Sequence, residues 1–100
     1  MKVTDIDIHQ VTLQYDEARA DELLRYHDMT QRTIYVVHTD NGLIGLGESE
    51  STEKQKVLDQ YIGSNPFDWI GDETSLGLGT AMYDLMGKAA GVPVYKLFGQ

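Results

Sequence analysis

Thr33-Ile34-Tyr35-Val36-Val37-His38-Thr39-Asp40-Asn41-Gly42-Leu43-Ile44-Gly45-Leu46-Gly47-Glu48 is the stretch on which the fold turns. Its first part, residues 33–39, is β-branched and aromatic, the composition of a strand. Asn41-Gly42 lies between two apolar runs, the strongest short-range hairpin signal, because both residues accept positive φ. Residues 43–48 therefore return antiparallel, and Gly45 and Gly47 leave room there for groups from elsewhere in the fold.

Upstream, residues 3–15 alternate, with Thr4, Ile6 and Ile8 on one face and Asp5, Asp7 and His9 on the other, as in a half-buried strand. The apolar parity changes at Val11 and Leu13, which predicts a β-bulge there. Residues 16–31 are polar and carry no strand signal. Downstream, Ser51 or Thr52 is placed to cap a helix, with Gln55 completing a capping-box pattern. Val57, Leu58, Tyr61 and Ile62 would form its apolar face and Gly63 its end. Asn65-Pro66 opens a short turn carrying Phe67, Trp69 and Ile70. A second helix begins near Ser75, presents Leu78, Ala81, Met82, Leu85 and Ala89 at 3/4 spacing, and stops at Gly91 and Pro93. The predicted class is α+β: a three-stranded antiparallel meander followed by a small helical bundle.

Length and charge narrow the function. A chain of 100 residues is one small domain and falls well short of the roughly 200–250 residues of a (β/α)₈ barrel. Eight basic residues against 16 acidic ones give a net charge of −8. The basic residues are scattered, so neither nucleic-acid binding nor attachment to an anionic membrane is expected. There is no cysteine, hence no disulfide framework or thiolate chemistry. The N-terminus is charged within five positions, no apolar run approaches the ~20 residues of a membrane span, and a cytoplasmic location is expected.

Asp5, Asp7 and His9 share a strand face and have the donor chemistry of a divalent-metal site, although the outward face of any half-buried strand is polar. Glu48 and Glu50 could act as a general acid/base pair, or simply be solvated at a strand end. The G-x-x-G-x-G of Gly42, Gly45 and Gly47 lies inside a hairpin rather than between a strand and a helix, unlike a dinucleotide fingerprint. His38, within a strand, reads as structural; His27, in the polar segment, reads as functional. Met82, Tyr83 and Met86 read as core. The residues by themselves compose no complete active site.

Ala81-Met82-Tyr83-Asp84-Leu85-Met86-Gly87-Lys88, followed by Gly91-Val92-Pro93-Val94 and Leu97-Phe98-Gly99, resembles the A-L-W-D-L-x-G-K-x-x-G-x-P-x-x-x-L-L-G signature of the mandelate racemase/muconate lactonizing group of the enolase superfamily. The opening Met1-Lys2-Val3-Thr4-Asp5-Ile6-Asp7-Ile8-His9-Gln10-Val11, the hairpin, and Tyr61-Ile62-Gly63-Ser64-Asn65-Pro66-Phe67 resemble other parts of the same domain. Asp84 and Lys88 stand four apart and can pair on a helix surface. Gly87 would let another element approach the helix closely. The intervals from Glu48 to Tyr61 and from Pro66 to Ala81 are short for the family, and Gly79 stands where the family has an acid.

The resemblance implies that residues 1–100 form an N-terminal capping domain that confers substrate specificity. The C-terminal barrel, with its Mg²⁺ ligands and proton-abstracting bases, would be absent from this chain. It implies a parent reaction of Mg²⁺-assisted proton abstraction α to a carboxylate, as in a racemase, cycloisomerase or acid-sugar dehydratase. The chain itself would hold no catalytic residue, metal or cofactor. Two loops, about residues 15–31 and 49–52, would close over a small carboxylate substrate bound by the barrel. Tyr15, Arg19, Arg25, Tyr26, His27, Glu50 and Ser51 are their candidate contacts. The alternative is a free-standing or truncated non-catalytic domain that binds a protein partner. Apolar side chains at 67–70 and 95–98 could mediate self-association.

Overall fold

A computed structural model describes residues 1–13 and 30–91 of the chain. Strands β1 (Val3–Leu13), β2 (Thr30–Thr39) and β3 (Ile44–Ser49) form one antiparallel sheet in the order β1-β2-β3. Helix α1 (Gln55–Tyr61), a 3₁₀ turn (Pro66–Trp69) and helix α2 (Leu76–Ala90) follow. This is the α+β meander-then-helices layout that the sequence predicts. Among the described residues, no helix is long and apolar enough to cross a membrane.

The β2–β3 hairpin forms where the Asn-Gly pair lies, but in a wider version. Gly42 has φ 83°, and among the described residues no residue other than glycine has positive φ. Gly42 N–H reaches Thr39 O at 3.3 Å, so a turn closes before the left-handed glycine, as in longer hairpin loops. The Thr39 hydroxyl lies 2.6 Å from Asn41 Oδ1 and 2.7 Å from Leu43 O, which fixes the loop from inside.

Strand β2 starts at Thr30, inside the segment read as polar, because β1 provides a continuous partner from Asp5↔His38 to Leu13↔Thr30. Pairing is one-to-one through Val11, so the expected bulge is not there. The register shifts instead between Val3 and Asp5. That irregularity lets Val3 be buried on the same side as the half-buried Ile6 and Ile8, and leaves Thr4 exposed. The start of β1 is held by backbone bonds from Val3 N–H to Ser64 O (2.8 Å) and from Gly63 N–H to Val3 O (2.7 Å).

One face of the sheet packs on α2. Its middle strand contributes Thr33, Tyr35, Val37 and Thr39, all buried. Opposite Tyr35 and Val37 in β3 stand Gly47 and Gly45. A methyl group at Gly47 would come within 1.9 Å of Gly77 O, and one at Gly45 within 2.6 Å of Ala81 O. The room expected at these glycines is thus filled by the backbone of α2. Leu78, Ala81, Met82, Leu85 and Met86 complete the core with Leu58 and Tyr61.

Helix α2 follows its sequence signals. The Ser75 hydroxyl accepts from Leu78 N–H at 3.2 Å, and Gly91 ends the helix at φ 72°. Ala89, expected on the apolar face, is exposed because the helix runs past the sheet there. Tyr83 is half-buried, and its hydroxyl accepts from Gly71 N–H at 2.8 Å. Asp84 and Lys88 do pair, at 3.0 Å, and also reach β3: Asp84 Oδ2 accepts from Leu46 N–H at 2.9 Å while Lys88 donates to Ile44 O at 2.5 Å. Two side chains of the helix thereby satisfy outward backbone groups of the edge strand, which would otherwise be open to pairing with another chain.

Helix α1 is shorter than expected and starts from Lys54 without a side-chain cap, because Thr52 is engaged elsewhere. Leu58 and Tyr61 are buried, whereas Ile62, expected on the same face, is the C-cap residue and is 40% exposed. Tyr61 stacks on Trp69 with ring centroids 4.0 Å apart. Its hydroxyl donates to Asp72 Oδ2 at 3.2 Å. Burial first, and the Asp72 carboxylate second, push the Tyr61 hydroxyl well above its ordinary pKa of 10.0. Asp72 is held below its usual 3.8, chiefly by the Thr74 backbone N–H, with the Thr74 and Tyr61 hydroxyls adding to it.

A raised tyrosine value in the folded state means stability that is present below the unfolded value and lost as pH rises past it. The stability of the protein should therefore fall above pH 10, and Tyr61→Phe should flatten that limb of a denaturation-versus-pH curve. An unchanged alkaline limb in Tyr61→Phe would exclude Tyr61 as its source.

Candidate functional site

The geometry of interest lies at one end of the sheet. β1 leaves there at Leu13, β2 enters there at Thr30, and β3 ends there at Ser49, as the pairs Leu13↔Thr30 and Thr33↔Ser49 require. Residues 14–29 are thus attached at the same end as residues 49–53. Tyr15, Arg19, Arg25, Tyr26 and His27 lie outside the described residues; Glu50 and Ser51 lie within them.

Residues 49–53 are pinned from several sides. The Tyr35 hydroxyl accepts from Ser49 Oγ at 3.1 Å and from Glu53 N–H at 2.9 Å, and donates to Ser51 O at 3.1 Å. Thr52 Oγ1 accepts from Gln10 Nε2 at 2.9 Å and lies 3.0 Å from Thr33 Oγ1. β1 is thus joined to the loop by the Gln10 side chain. Ser51 is exposed, and the Glu50 side chain is 89% exposed.

Glu48 and Glu50 do not form an isolated acid pair. Arg32 Nε lies 2.5 Å from Glu48 Oε1, and its Nη1 lies 3.7 Å from Glu50 Oε1. The Arg32 guanidinium thus lies between the two carboxylates and ties them into one ion-paired group on the strand surface. The close contact belongs to Glu48, and Glu50 keeps most of its surface free.

On the same outward sheet face as Arg32, Asp7 Oδ2 meets His38 Nε2 at 2.8 Å. His38 is therefore a structural cross-strand partner, as its position in the sequence implied. With Asp7 so engaged, the Asp5–Asp7–His9 face is a solvated strand surface. Among the described residues no group of three or more His, Asp or Glu side chains is placed to hold a metal ion. The donor set of the described residues does not fit Mg²⁺.

Of the surfaces proposed for self-association, residues 95–98 lie outside the described residues. Phe67 and Ile70 are 40% and 64% exposed. Sequence reasoning overlooked Tyr35, the centre of the loop's hydrogen bonding. Its signal was a phenol on an inward strand face next to Val37, where a hydroxyl must find partners.

No protein-family model and no curated protein sequence matches the chain. Solved structures do. A dipeptide epimerase from Enterococcus faecalis V583, complexed with Mg and the dipeptide L-Leu-L-Tyr, is 22% identical with a TM-score of 0.70, over 97% of this chain and 34% of its own. A dipeptide epimerase from Methylococcus capsulatus, complexed with Mg ion, is 17% identical with a TM-score of 0.69, over 97% of this chain and 32% of its own. An enolase from Agrobacterium radiobacter, bound to Na and L-malate, is 26% identical with a TM-score of 0.57, over 99% of this chain and 28% of its own. The chain spans about a third of the length of these proteins. It has the fold of the N-terminal domain of the enolase superfamily.

Proposed function

We propose that this chain is the capping domain that confers substrate specificity on an enolase-superfamily enzyme acting on a small carboxylate. In this reading the chain supplies loops and no chemistry. The proton-abstracting bases and the Mg²⁺ ligands would belong to a barrel domain outside these residues. The reaction class is abstraction of a proton α to a carboxylate, as in a racemase, cycloisomerase or acid-sugar dehydratase.

The observation that carries the reading is that β1 ends, β2 begins and β3 ends at one end of the sheet, with Glu50 and Ser51 exposed there on a braced loop. Loops that select a ligand need an exposed tip and a fixed base. Arg19 and Arg25, between β1 and β2, have the chemistry to pair with a distal carboxylate or hydroxyl. Tyr26 would wall the site, Tyr15 and His27 would be further contacts, and Glu50 and Ser51 would contribute from the other loop.

In the full polypeptide, Arg25→Ala should change the preference among carboxylate substrates while Mg²⁺ affinity stays the same. The residues 1–100 alone should show no Mg²⁺-dependent α-proton exchange of acid sugars in deuterated water. Equal turnover of all substrates by Arg25→Ala, or exchange catalysed by residues 1–100, would overturn the reading.

A further inference from the structure

We infer that Tyr35 is a positioning residue: its hydroxyl fixes how Glu50 and Ser51 are presented, so that the 49–53 loop meets ligand as a preformed surface. The inference rests on the substrate-loop reading proposed above.

A tyrosine hydroxyl has one proton to donate and two lone pairs to accept with. Here all of that capacity is spent on one loop. It accepts from the Ser49 side chain and the Glu53 N–H, and donates to the Ser51 carbonyl. These partners stand before, within and after the exposed tip. Ser49 Oγ also lies 2.7 Å from Ser51 O, so its one proton is shared between that carbonyl and the Tyr35 hydroxyl. The backbone is therefore held on both sides of Glu50 and Ser51 while their side chains stay in solvent.

The anchor itself cannot drift. Tyr35 is fully buried in β2. Gly77, in the first turn of α2, lies so near that a methyl group there would be 2.6 Å from Tyr35 Cε2 and 3.2 Å from Ser49 Cβ. Across the ladder the ring faces Gly47. The loop is thus positioned against the core of β2 and α2, although such connections are ordinarily among the more mobile parts of a protein. The brace from Gln10 and Thr33 to Thr52 fixes the far side of the loop from the same sheet face.

Tyr35→Phe keeps the ring against Gly77 and deletes only the hydroxyl. In the full polypeptide, hydrogen exchange at the Glu53 amide should accelerate by about tenfold, the loss of protection of a locally opened segment. Exchange at Val37 and Leu85 in the core should not change. Ser49→Ala removes one partner of the hub at a half-buried site and should give a smaller acceleration at the same amide. It serves as the second variant if Tyr35→Phe folds poorly. Unchanged exchange at Glu53 in both variants would overturn the anchor.

A second arm measures binding of a panel of α-hydroxy acids, sugar acids and dipeptides to the Mg²⁺-loaded full polypeptide. Tyr35→Phe should shift the ratio of affinities within the panel several-fold and leave Mg²⁺ affinity unaltered, which a merely destabilised domain would not do. Lost protection at Glu53 with unaltered ratios would sustain the anchor and overturn the substrate-loop reading.

Discussion

Gly47→Ala is expected to cost the domain about 3 kcal/mol, the upper end of overpacking penalties in a dense core. The added methyl group would lie 1.9 Å from Gly77 O and 3.2 Å from Ala81 Cβ. Backbone cannot step aside as a flexible side chain can, so β3 and α2 must separate. For a domain of this size the loss corresponds to a fall in Tm of roughly 12–24 °C. Two other glycines serve as controls for the cause. Gly79 has nothing within 4 Å of an added methyl group and no positive φ, so Gly79→Ala should stabilise the protein by about 0.5–1 kcal/mol through helix propensity. Gly42 is also free of contacts but has φ +83°, so Gly42→Ala should cost about 1–2 kcal/mol of backbone strain. Thermal melts of the three variants should rank Gly79→Ala above wild type, then Gly42→Ala, then Gly47→Ala. A Gly47→Ala protein as stable as wild type would show that α2 does not sit against β3 in this way.

Tyr61→Ala should be of similar size, about 3–5 kcal/mol, as for other large aromatic residues cut from a core. Tyr61 is fully buried, stacks on Trp69, and joins α1 to the turn that follows it. Trp69 would lose its stacking partner, while its indole N–H keeps Ser64 Oγ, which it meets at 2.8 Å. Tyr61→Phe keeps the stack and gives up the bond to Asp72, a loss of about 1 kcal/mol. Chemical denaturation of both variants separates ring from hydroxyl. If the phenylalanine variant lost as much as the alanine variant, the Asp72 contact and not the ring would hold α1 in place.

The elements that were legible in the sequence are those governed by local rules. Asn41-Gly42 marked the hairpin because a left-handed position there calls for glycine, and Gly42 takes it. Ser75 and Gly91 marked the ends of α2 because a hydroxyl can satisfy its first N–H groups and a glycine can leave the helix with positive φ. Where the outcome depended on a partner distant in sequence, periodicity misled. Val11 changed parity without a bulge, since β2 pairs straight through it, and the irregularity fell at Val3, where the turn at Gly63 and Ser64 captures the strand. Thr52 had the spacing of a capping residue, but Gln10 and Thr33 claim its hydroxyl and α1 begins later.

The candidate site divides in the same way. Glu50 and Ser51 were chosen as polar residues in a segment after a strand, and they are exposed there. The Glu48–Glu50 pair looked like acid/base chemistry until Arg32, from the neighbouring strand, came between the two. Asp7 looked like a ligand until His38 was found beside it. Charge pairing across strands depends on register, which a single strand's sequence does not encode.

The sequence by itself determined the α+β layout, the hairpin and the ends of the long helix, because each is set by residues within a few positions of one another. Only the tertiary structure decided what the glycines and the tyrosine of the hairpin are for. Gly45 and Gly47 admit a helix backbone that arrives from residues 77–85, and Tyr35 joins the loop at 49–53 to that helix. Close packing and saturated hydrogen bonding are relations between distant segments, and they exist only once those segments have met.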